Sequence, residues 1–344
     1  MKAVVLDKGA LDVRDIAEPV AGKGQVLVAT RTCGICGTDL HARHHLDTFF
    51  QGLANAGSAV PTDPDAPIVM GHEFCGEVLE HGPDTTGAIR PGTLVVGLPY
   101  ATGPQGAEYV GYSNRFPGGF AERIVLTEKL LFPVTNGLSA EQAALTEPFA
   151  IGAHAVAGAG DLGGCAIMIV GCGPIGLAVI AALKARGHGP VVAMDYSAGR
   201  RRFAEAMGAD EVVDAGAETQ AEVWARIGAG KKGRRAAVFE CVGRPGVVQS
   251  IIGEVPRGAR VVVVGNSLEP CTIDQVMAFN KELEIRFVMN YAPAEFGRTL
   301  DDIAEGRIDT RPMLTGTVPP EGVEQAFEDL KDAEKHAKIV VRFD

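Results

Sequence analysis

The chain has 344 residues, of which 46% are hydrophobic and 22% are charged, proportions typical of a folded globular protein of about two domains. A net charge of −11 with no compensating basic stripe argues against nucleic-acid binding. No segment approaches ~20 consecutive apolar residues, and the first residues lack the apolar core of a signal peptide, so we expect a cytoplasmic protein.

The first 152 residues are rich in Gly and Pro and contain short strand patterns such as QVLVAT and EFCGEVLEHG. Short strands separated by frequent Gly and Pro residues predict a compact, mainly-β domain with functional loops. The tail from about residue 290 to residue 344 has the same character and ends in the strand-like segment AKIVVRFD. We therefore predict that residues 1–152 and 290–344 form one domain.

Residues 31–41, RTCGICGTDLH, place Cys33 and Cys36 in a C-x-x-C motif. Such a pair can be half of a structural zinc site, a thiol–disulfide redox motif, or one metal-ligating cysteine beside an unrelated one. The seven cysteines of the chain are odd in number and scattered, which does not fit a secreted disulfide framework. The motif alone leaves the three chemistries open.

Residues 153–289 alternate β-branched runs with helical patterns. The runs CAIMIV, VVAMD, AAVFE and ARVVVV lack polar alternation, as strands do when helices cover both faces of a parallel sheet. The segments between them carry apolar residues at nearly helical period. We predict an α/β fold in which a doubly wound parallel domain, residues 153–289, is inserted into the mainly-β domain.

A dinucleotide fingerprint follows the first strand of this domain. The stretch CAIMIVGCGPIGLAVIAALKARG is a buried strand, a G-x-G-x-x-G turn and a helix. The glycines permit a tight turn and close backbone approach, and a pyrophosphate can then bind at the helix N-terminus. We predict that the cofactor contacts Gly171, Gly173, Pro174, Ile175, Gly176 and, further along the chain, Gly265.

Asp195 ends the second strand, 19 residues after Gly176. A carboxylate there accepts hydrogen bonds from the adenosine ribose and repels a 2′-phosphate, so the sequence favours NAD over NADP. The alternative role for Asp195 is to cap the next helix. Arg200 and Arg201 keep NADP open, because an arginine beside the ribose is how that phosphate is usually accommodated, and we include Arg200 in the cofactor site.

The chain resembles the zinc-dependent medium-chain alcohol and polyol dehydrogenases, the family of sorbitol and threonine dehydrogenases, over essentially its whole length. The resemblance rests on CGICGTDLH, MGHEFCG, LTEPFAIGAHA, KELEIRF and AKIVV. It implies a Rossmann domain within a GroES-like domain, with Cys36 and His72 as ligands of one catalytic zinc per chain. Glu147 matches the third ligand position, and Glu73 can bind the metal as well; which carboxylate binds directly stays open.

The chemistry of this donor set agrees with a catalytic metal. A structural zinc is closed by four protein ligands, whereas a catalytic zinc keeps one position free and lowers the pKa of a bound hydroxyl. On this interpretation Cys36 is the ligand, and Cys33 is a small buried residue that ends the preceding strand. The C-x-x-C spacing is then incidental.

The resemblance also implies a proton relay. Thr38 matches the hydroxyl that receives the substrate proton, and His41 matches the histidine that passes it to solvent. Asp39 matches a carboxylate that orients the zinc histidine. The alternatives are a helix N-cap for Thr38 and an ordinary surface position for His41.

The chain departs from the family in two places. Many relatives hold a structural zinc with four closely spaced cysteines, but between His72 and Glu147 this chain has only Cys75, so we expect no structural zinc. The segment between His41 and His72 is also longer than expected. We interpret its histidine pair, residues 44 and 45, as solvated, while its two phenylalanines, residues 49 and 50, either line the substrate cleft or pack under their own loop.

The sequence thus predicts an NAD-dependent and zinc-dependent dehydrogenase that oxidises a secondary alcohol or polyol to a ketone, reversibly. One alternative is a zinc-free quinone or enoyl reductase on the same fold; another is a non-catalytic nucleotide-binding protein. We expect a cleft lined by the 44–70 loop, the region around Phe116 and residues near Tyr291. The partners we expect are a small-molecule substrate and further copies of the chain, as a homodimer or homotetramer, with no nucleic acid and no membrane.

Overall fold

The computed structural model describes residues 1–55, 57, 62–231 and 233–344. The chain begins with the hairpin of β1 (Lys2–Asp7) and β2 (Ala10–Asp15), and the long strand β3 (Gln25–Gly34) follows. Two helices, α1 (Gly37–Ala42) and α2 (Leu46–Asn55), precede β4 (Glu73–His81). This region ends with β5 (Leu94–Gly97), β6 (Tyr100–Gly103), β7 (Gly106–Tyr109), β8 (Arg123–Thr127), β9 (Leu131–Pro133) and α3 (Ala140–Ala144).

Helix α4 (Thr146–Gly158) carries the chain without interruption into a second region of alternating strands and helices. These are β10 (Ala166–Val170), α5 (Pro174–Ala185), β11 (Val191–Asp195), α6 (Ala198–Ala206), β12 (Glu211–Asp214), α7 (Gln220–Arg226), β13 (Ala236–Glu240), α8 (Val247–Glu254), β14 (Arg260–Val263), α9 (Gln275–Asn280) and β15 (Glu284–Phe287). The strands pair in parallel in the order β12-β11-β10-β13-β14-β15. This is the doubly wound arrangement, and β10, β11 and β13 are buried along their whole length because helices cover both faces.

The tail returns to the first region. It contains α10 (Pro293–Ala304), β16 (Leu314–Val318), α11 (Val323–Asp329) and β17 (Lys338–Arg342). β17 pairs antiparallel with β3, so a seven-stranded sheet runs in the order β16-β17-β3-β4-β5-β9, with β8 also paired to β3. The predicted fold class is therefore confirmed: a doubly wound parallel domain interrupts a mainly-β domain.

Apolar packing joins the C-terminal tail to the first region. Cys75 and Val96 of the seven-stranded sheet, and Leu98 just after β5, cluster with Phe296 and Leu300 of α10. Helix α4 contacts β4 as well, which brings the first turn of α4 close to the start of β4. The functional side chains described below lie at this junction. Within the described part of the chain, every helix is too short or too polar to cross a membrane.

Candidate metal centre and cofactor site

Three side chains from two distant segments of the chain meet at the carboxyl end of β3. Cys36 follows this strand and His72 precedes β4, while Glu73 is the first residue of β4 and is paired in register with Gly34. One ligand atom from each of the three lies within 4.8 Å of the other two. A side chain at position 34 would collide with the Glu73 carboxylate, so the glycine there makes room for it. A thiol, an imidazole and a carboxylate at this spacing fit a zinc ion.

Asp39 fixes the geometry of this cluster from within α1. Its side chain is fully buried; Oδ2 accepts the backbone N–H of Cys36 at 2.9 Å, and Oδ1 accepts the hydroxyl of Tyr112 at 2.5 Å. His72 Nδ1 lies 3.6 Å from Oδ1, longer than a hydrogen bond, and is buried without another partner among the described residues. The structure thus places Asp39 beside both Cys36 and His72.

The cluster contains an ion pair that the sequence analysis missed. Nζ of Lys338, on β17, lies 2.6 and 2.8 Å from the two carboxylate oxygens of Glu73 and donates to the carbonyl of Ile35 at 3.0 Å. Both charged side chains are only 1% exposed. Burial lowers the pKa of the Lys338 amine, but the charges of Glu73, Cys36 and Glu147, together with the hydrogen bond to Glu73, outweigh burial and raise the pKa overall. The only sequence feature that pointed to a buried ion pair was the lysine at the start of the apolar run KIVV.

Glu147 stands apart from the three-residue cluster. It lies in the first turn of α4, and its Oε1 accepts the hydroxyl of Tyr291 at 2.8 Å. Burial raises the pKa of this carboxyl to about 7, while the charge of His72 opposes the shift. The structure therefore groups Glu73 with Cys36 and His72, and it holds Glu147 nearby through Tyr291.

Thr38 and His41 lie three residues apart on α1, on one face of the helix. The helix is capped by Cys36, whose sulfur accepts the backbone N–H of Thr38 at 3.5 Å, so Thr38 is not the N-cap. Thr38 is half-buried and His41 is exposed. Partial burial, and then the neighbouring His45 and Arg244, lower the pKa of the His41 imidazole. Cys33 is fully buried near the end of β3, as predicted.

The long segment after His41 is not an open loop. It contains α2, whose two phenylalanines are buried in the core, and the ring of Phe49 packs 4.6 Å from that of Tyr112. Phe116 is buried in the same core. His44 and His45 are exposed, as expected. Residues 56 and 58–61 of this segment lie outside the described part of the chain.

The stretch from residue 98 to residue 120, for which the sequence predicts no structural zinc, contains the hairpin β6–β7. Tyr100 and Tyr109 are cross-strand partners in this hairpin. The rings of Tyr109 and Tyr112 lie 5.7 and 5.5 Å from the ring of His72. Tyrosines therefore stand beside the metal centre, and the sequence analysis had assigned no role to them.

The predicted dinucleotide loop has a distinct steric environment at each glycine. Gly171 has a φ of +95°, a conformation that favours glycine, and Cys241 and Val242 crowd against it. A Cβ at Gly173 would meet nothing within 4 Å, which leaves space for a ligand to approach the N-terminus of α5. A Cβ at Gly176 would collide with the carbonyl oxygen of Gly171. Pro174 and Ile175 form the first turn of α5 and are partly exposed beside that space.

Asp195 joins the glycine loop to the end of β11. Its two carboxylate oxygens accept the backbone N–H groups of Cys172 at 2.8 Å and Ser197 at 2.9 Å. Arg201 is occupied by the carbonyls of residues 195 and 196 and by Asp214. The guanidinium of Arg200 lies 3.9 Å from Asp195 and is partly exposed. Of these two arginines, Arg200 is the one whose charge is available to a ligand.

A buried carboxylate organises the opposite side of the cofactor loop. Oε1 of Glu240, the last residue of β13, accepts the backbone N–H groups of Val242 at 2.7 Å and Gly243 at 2.8 Å. Gly265 packs against this turn, and a Cβ there would lie 2.7 Å from Oε2 of Glu240. Burial raises the pKa of the Glu240 carboxyl, although these N–H groups oppose the shift. The sequence analysis predicted Gly265 and missed Glu240.

Comparison with known proteins agrees with this geometry. Residues 22–136 match the model for the alcohol dehydrogenase GroES-like domain, and residues 174–305 match the model for the zinc-binding dehydrogenase family. (R,R)-butanediol dehydrogenase of Bacillus subtilis is 32% identical, with 96% of each chain covered. Sorbitol dehydrogenase of Gallus gallus is 30% identical, with 97% of this chain and 93% of that protein covered.

A solved structure extends the similarity to three dimensions. The crystal structure of 2R,3R-butanediol dehydrogenase from Bacillus subtilis matches with a TM-score of 0.83 and 29% identity, over 100% of this chain and 99% of that chain. The protein is an oxidoreductase whose cofactors are zinc and NAD and whose substrate is a small alcohol. The chain belongs to the family of zinc-dependent medium-chain alcohol and polyol dehydrogenases.

Proposed function

We propose that the protein moves a hydride from the secondary carbinol of a small polyol-type alcohol to NAD, with a ketone, NADH and one proton as products. The observation that carries this proposal is the cluster of Cys36, His72 and Glu73, whose ligand atoms lie within 4.8 Å of one another. When bound there, zinc supplies Lewis-acid chemistry that lowers the pKa of the alcohol. Relatives named for a diol and for sorbitol support a secondary alcohol as the reacting group.

We assign Cys36, His72 and Glu73 as the zinc ligands, and Glu147 as a carboxylate beside the open position. The assignment of Glu73 rests on its place in the 4.8 Å group. Glu147 lies outside that group and accepts a hydrogen bond from Tyr291 through one oxygen, so we place it beside the ligands. The proposed content is one zinc per chain, because the described residues contain a single cluster of this kind.

We propose that the proton lost by the alcohol passes from Thr38 to His41 and then to water. Thr38 is half-buried beside Cys36, and His41 is exposed one helical turn further along. Because the pKa of His41 is lowered, its imidazole is neutral at pH 7 and is able to accept a proton. In this scheme Asp39 acts only through Cys36 and His72, which it positions.

NAD is the proposed cofactor in preference to NADP. Both carboxylate oxygens of Asp195 face backbone N–H groups at the point where the adenosine ribose would lie, so a 2′-phosphate would meet a negative charge. Gly171, Gly173, Pro174, Ile175, Gly176 and Gly265 are proposed to line the remainder of the cofactor site. Arg200 is the side chain that favours NADP, and its 3.9 Å contact with Asp195 partly neutralises it.

We also propose a homodimer that forms through β15 in a cytoplasmic protein. β15 is an edge strand of the parallel sheet, and side chains on and around it are unusually exposed for their size. These are Val276, Phe279, Phe287 and Met289, which are 64–77% exposed. Pairing of two copies along β15 would cover them. We further propose that residues 1–152 and 290–344 form the metal-binding domain and that residues 153–289 form the NAD-binding domain.

The direct test combines metal analysis with a substrate panel. Desalted protein should contain about one zinc per chain and should reduce NAD faster than NADP with secondary alcohols, polyols or amino alcohols. Chelation should abolish turnover and leave the far-UV spectrum nearly unchanged, because the proposed zinc is catalytic rather than a support of the fold. Full turnover in the chelated, zinc-depleted protein would contradict the proposed function.

A further inference from the structure

Four of the five tyrosines of the chain gather at the metal centre. Tyr100 and Tyr109 face each other across the β6–β7 hairpin with ring centroids 5.2 Å apart, and Tyr109 stacks on Tyr112 at 5.4 Å with an interplanar angle of 17°. Tyr291, at the start of the C-terminal tail, reaches the same place through its contact with Glu147. Three members of this tyrosine cluster, Tyr100, Tyr109 and Tyr112, lie between His72 and Glu147, in the stretch for which the sequence predicts no structural zinc.

The four hydroxyl groups do not share one role. Tyr112 is 2% exposed, and its hydroxyl is engaged by Asp39. The hydroxyl of Tyr291 is engaged by Glu147, and Tyr100 lies beside Asn290. Tyr109 is partly exposed, and its hydroxyl forms no hydrogen bond with any residue in the described ranges. Its polar atom is therefore available to a ligand beside the metal centre.

Tyr109 also lies beside the metal centre. Its ring is 5.7 Å from the ring of His72, and its phenol is within electrostatic reach of Cys36 and Glu147. Glu147 is 7% exposed, and its second oxygen, Oε2, has no partner among the described residues. The proposed open position of the metal is thus flanked by a phenol that both donates and accepts and by a carboxylate oxygen that accepts.

We infer that the hydroxyl of Tyr109 binds a second hydroxyl on the carbon next to the reacting carbinol, so that this side chain selects vicinal diols and polyols over simple alcohols. The inference rests on the proposed function and names the substrate class of the same site. The reacting oxygen lies toward Cys36, His72 and Glu73, and the neighbouring hydroxyl, one carbon–carbon bond away, faces Tyr109. A substrate that lacks this hydroxyl leaves the phenol without a partner, and sites that hydrogen-bond a substrate hydroxyl discriminate strongly against such analogues.

Packing alone is the competing explanation. The ring of Tyr109 stacks on Tyr112 and covers His72, and a phenylalanine would do both equally well. Substitution Tyr109→Phe removes one oxygen and keeps the ring, so it separates the two explanations. Tyr112→Phe is the matched comparison, because it removes the same group from the neighbouring ring but acts through Asp39 rather than through the substrate.

The experiment uses the zinc-loaded full-length enzyme with NAD and two substrates that differ by one hydroxyl, butane-2,3-diol and butan-2-ol. The wild type should show a higher kcat/KM for the diol. Tyr109→Phe should lower the ratio of the two kcat/KM values by about fivefold or more, as expected for loss of a hydrogen bond to a neutral group. Tyr112→Phe should lower turnover of both substrates and leave the ratio within about twofold of the wild type.

The possible outcomes distinguish failure of the Tyr109 inference from failure of the proposed function. An unchanged ratio in folded Tyr109→Phe protein, or a wild type that oxidises both compounds equally well, overturns the inference and leaves the proposed function intact. A wild type that oxidises neither these two compounds nor any alcohol of the wider panel contradicts the proposed function itself. The wild-type comparison requires no variant, so the inference stays testable even if a substitution impairs folding.

Discussion

Replacement of Lys338 should strongly destabilise the mainly-β region of the chain. Substitution Lys338→Met keeps the aliphatic stem and removes the charged amine. The variant leaves the Glu73 carboxylate buried without its counter-ion, and it leaves the carbonyl of Ile35 without its 3.0 Å hydrogen bond. Because water does not reach this position, nothing replaces either contact.

The expected magnitude follows from the burial of the pair. Both side chains are 1% exposed, and removal of one partner from such a pair destabilises a protein by about 3–5 kcal/mol. With a urea m-value of about 3 kcal/mol/M, this corresponds to a midpoint shift of about 1–1.7 M. Lys331→Met is the matched control. Lys331 also pairs with a glutamate, Glu328, but its side chain is 60% exposed, so its loss should barely change the midpoint.

Two optical probes show where the destabilisation acts. Far-UV circular dichroism follows the whole chain, whereas the single tryptophan, Trp224, is buried in the dinucleotide-binding region and reports on that part alone. In metal-free Lys338→Met, the dichroism midpoint should fall by at least as much as the fluorescence midpoint. The double variant Glu73→Gln/Lys338→Met should recover part of the loss, because it removes the unpaired charge. A dichroism shift no larger than that of Lys331→Met would refute this reasoning.

Three further predictions concern the site. Cys36→Ser should lose most of its zinc and its turnover, whereas Cys33→Ser should retain both. Plasma-emission metal analysis of desalted protein measures the zinc content. The opposite pattern would reverse the ligand assignment. The ratio of kcat/KM with NAD to kcat/KM with NADP should exceed ten in the wild type, and Asp195→Ala should reduce this ratio. A wild-type preference for NADP would contradict the prediction. The relay requires neutral His41, whose pKa is lowered by partial burial and then by His45 and Arg244, so the acid limb of the kcat/KM profile should lie below pH 6.5. Arg244→Gln removes a positive neighbour, so protonated His41 becomes easier to form and the limb should move to higher pH; an unmoved limb would argue that another group titrates.

Local sequence patterns predicted the dinucleotide-binding domain well, for a physical reason. A strand buried on both faces must be continuously apolar, and a phosphate-binding turn needs glycines at fixed spacing, so short segments carry the signal. Asp195 accordingly ends β11 as predicted. The meeting of Cys36 and His72 was predicted from family motifs, because their spacing in the chain carries no information about the pairing of β3 with β4.

The contacts that escaped prediction depend on long-range register. Glu73 and Lys338 lie 265 residues apart, and only the order of β17, β3 and β4 in the sheet brings them together. Tyr109 lies in a stretch of Gly, Pro and polar residues that resembles a loop, and its role depends on a hairpin that folds over His72. Helix α2 was not predicted because its ten residues, LDTFFQGLAN, form fewer than about three turns within an otherwise irregular segment.

The pairing of β17 with β3 also imposes an order of events during synthesis. At about 5–20 residues per second, a ribosome needs roughly 13–53 s to advance the 265 positions from Glu73 to Lys338. The dinucleotide-binding region is contiguous and leaves the ribosome within that interval, so it can fold while β3 still presents an unpaired edge. The metal centre is consequently among the last parts of the protein to mature, and zinc delivered to the nascent chain before β17 emerges would meet an incomplete site.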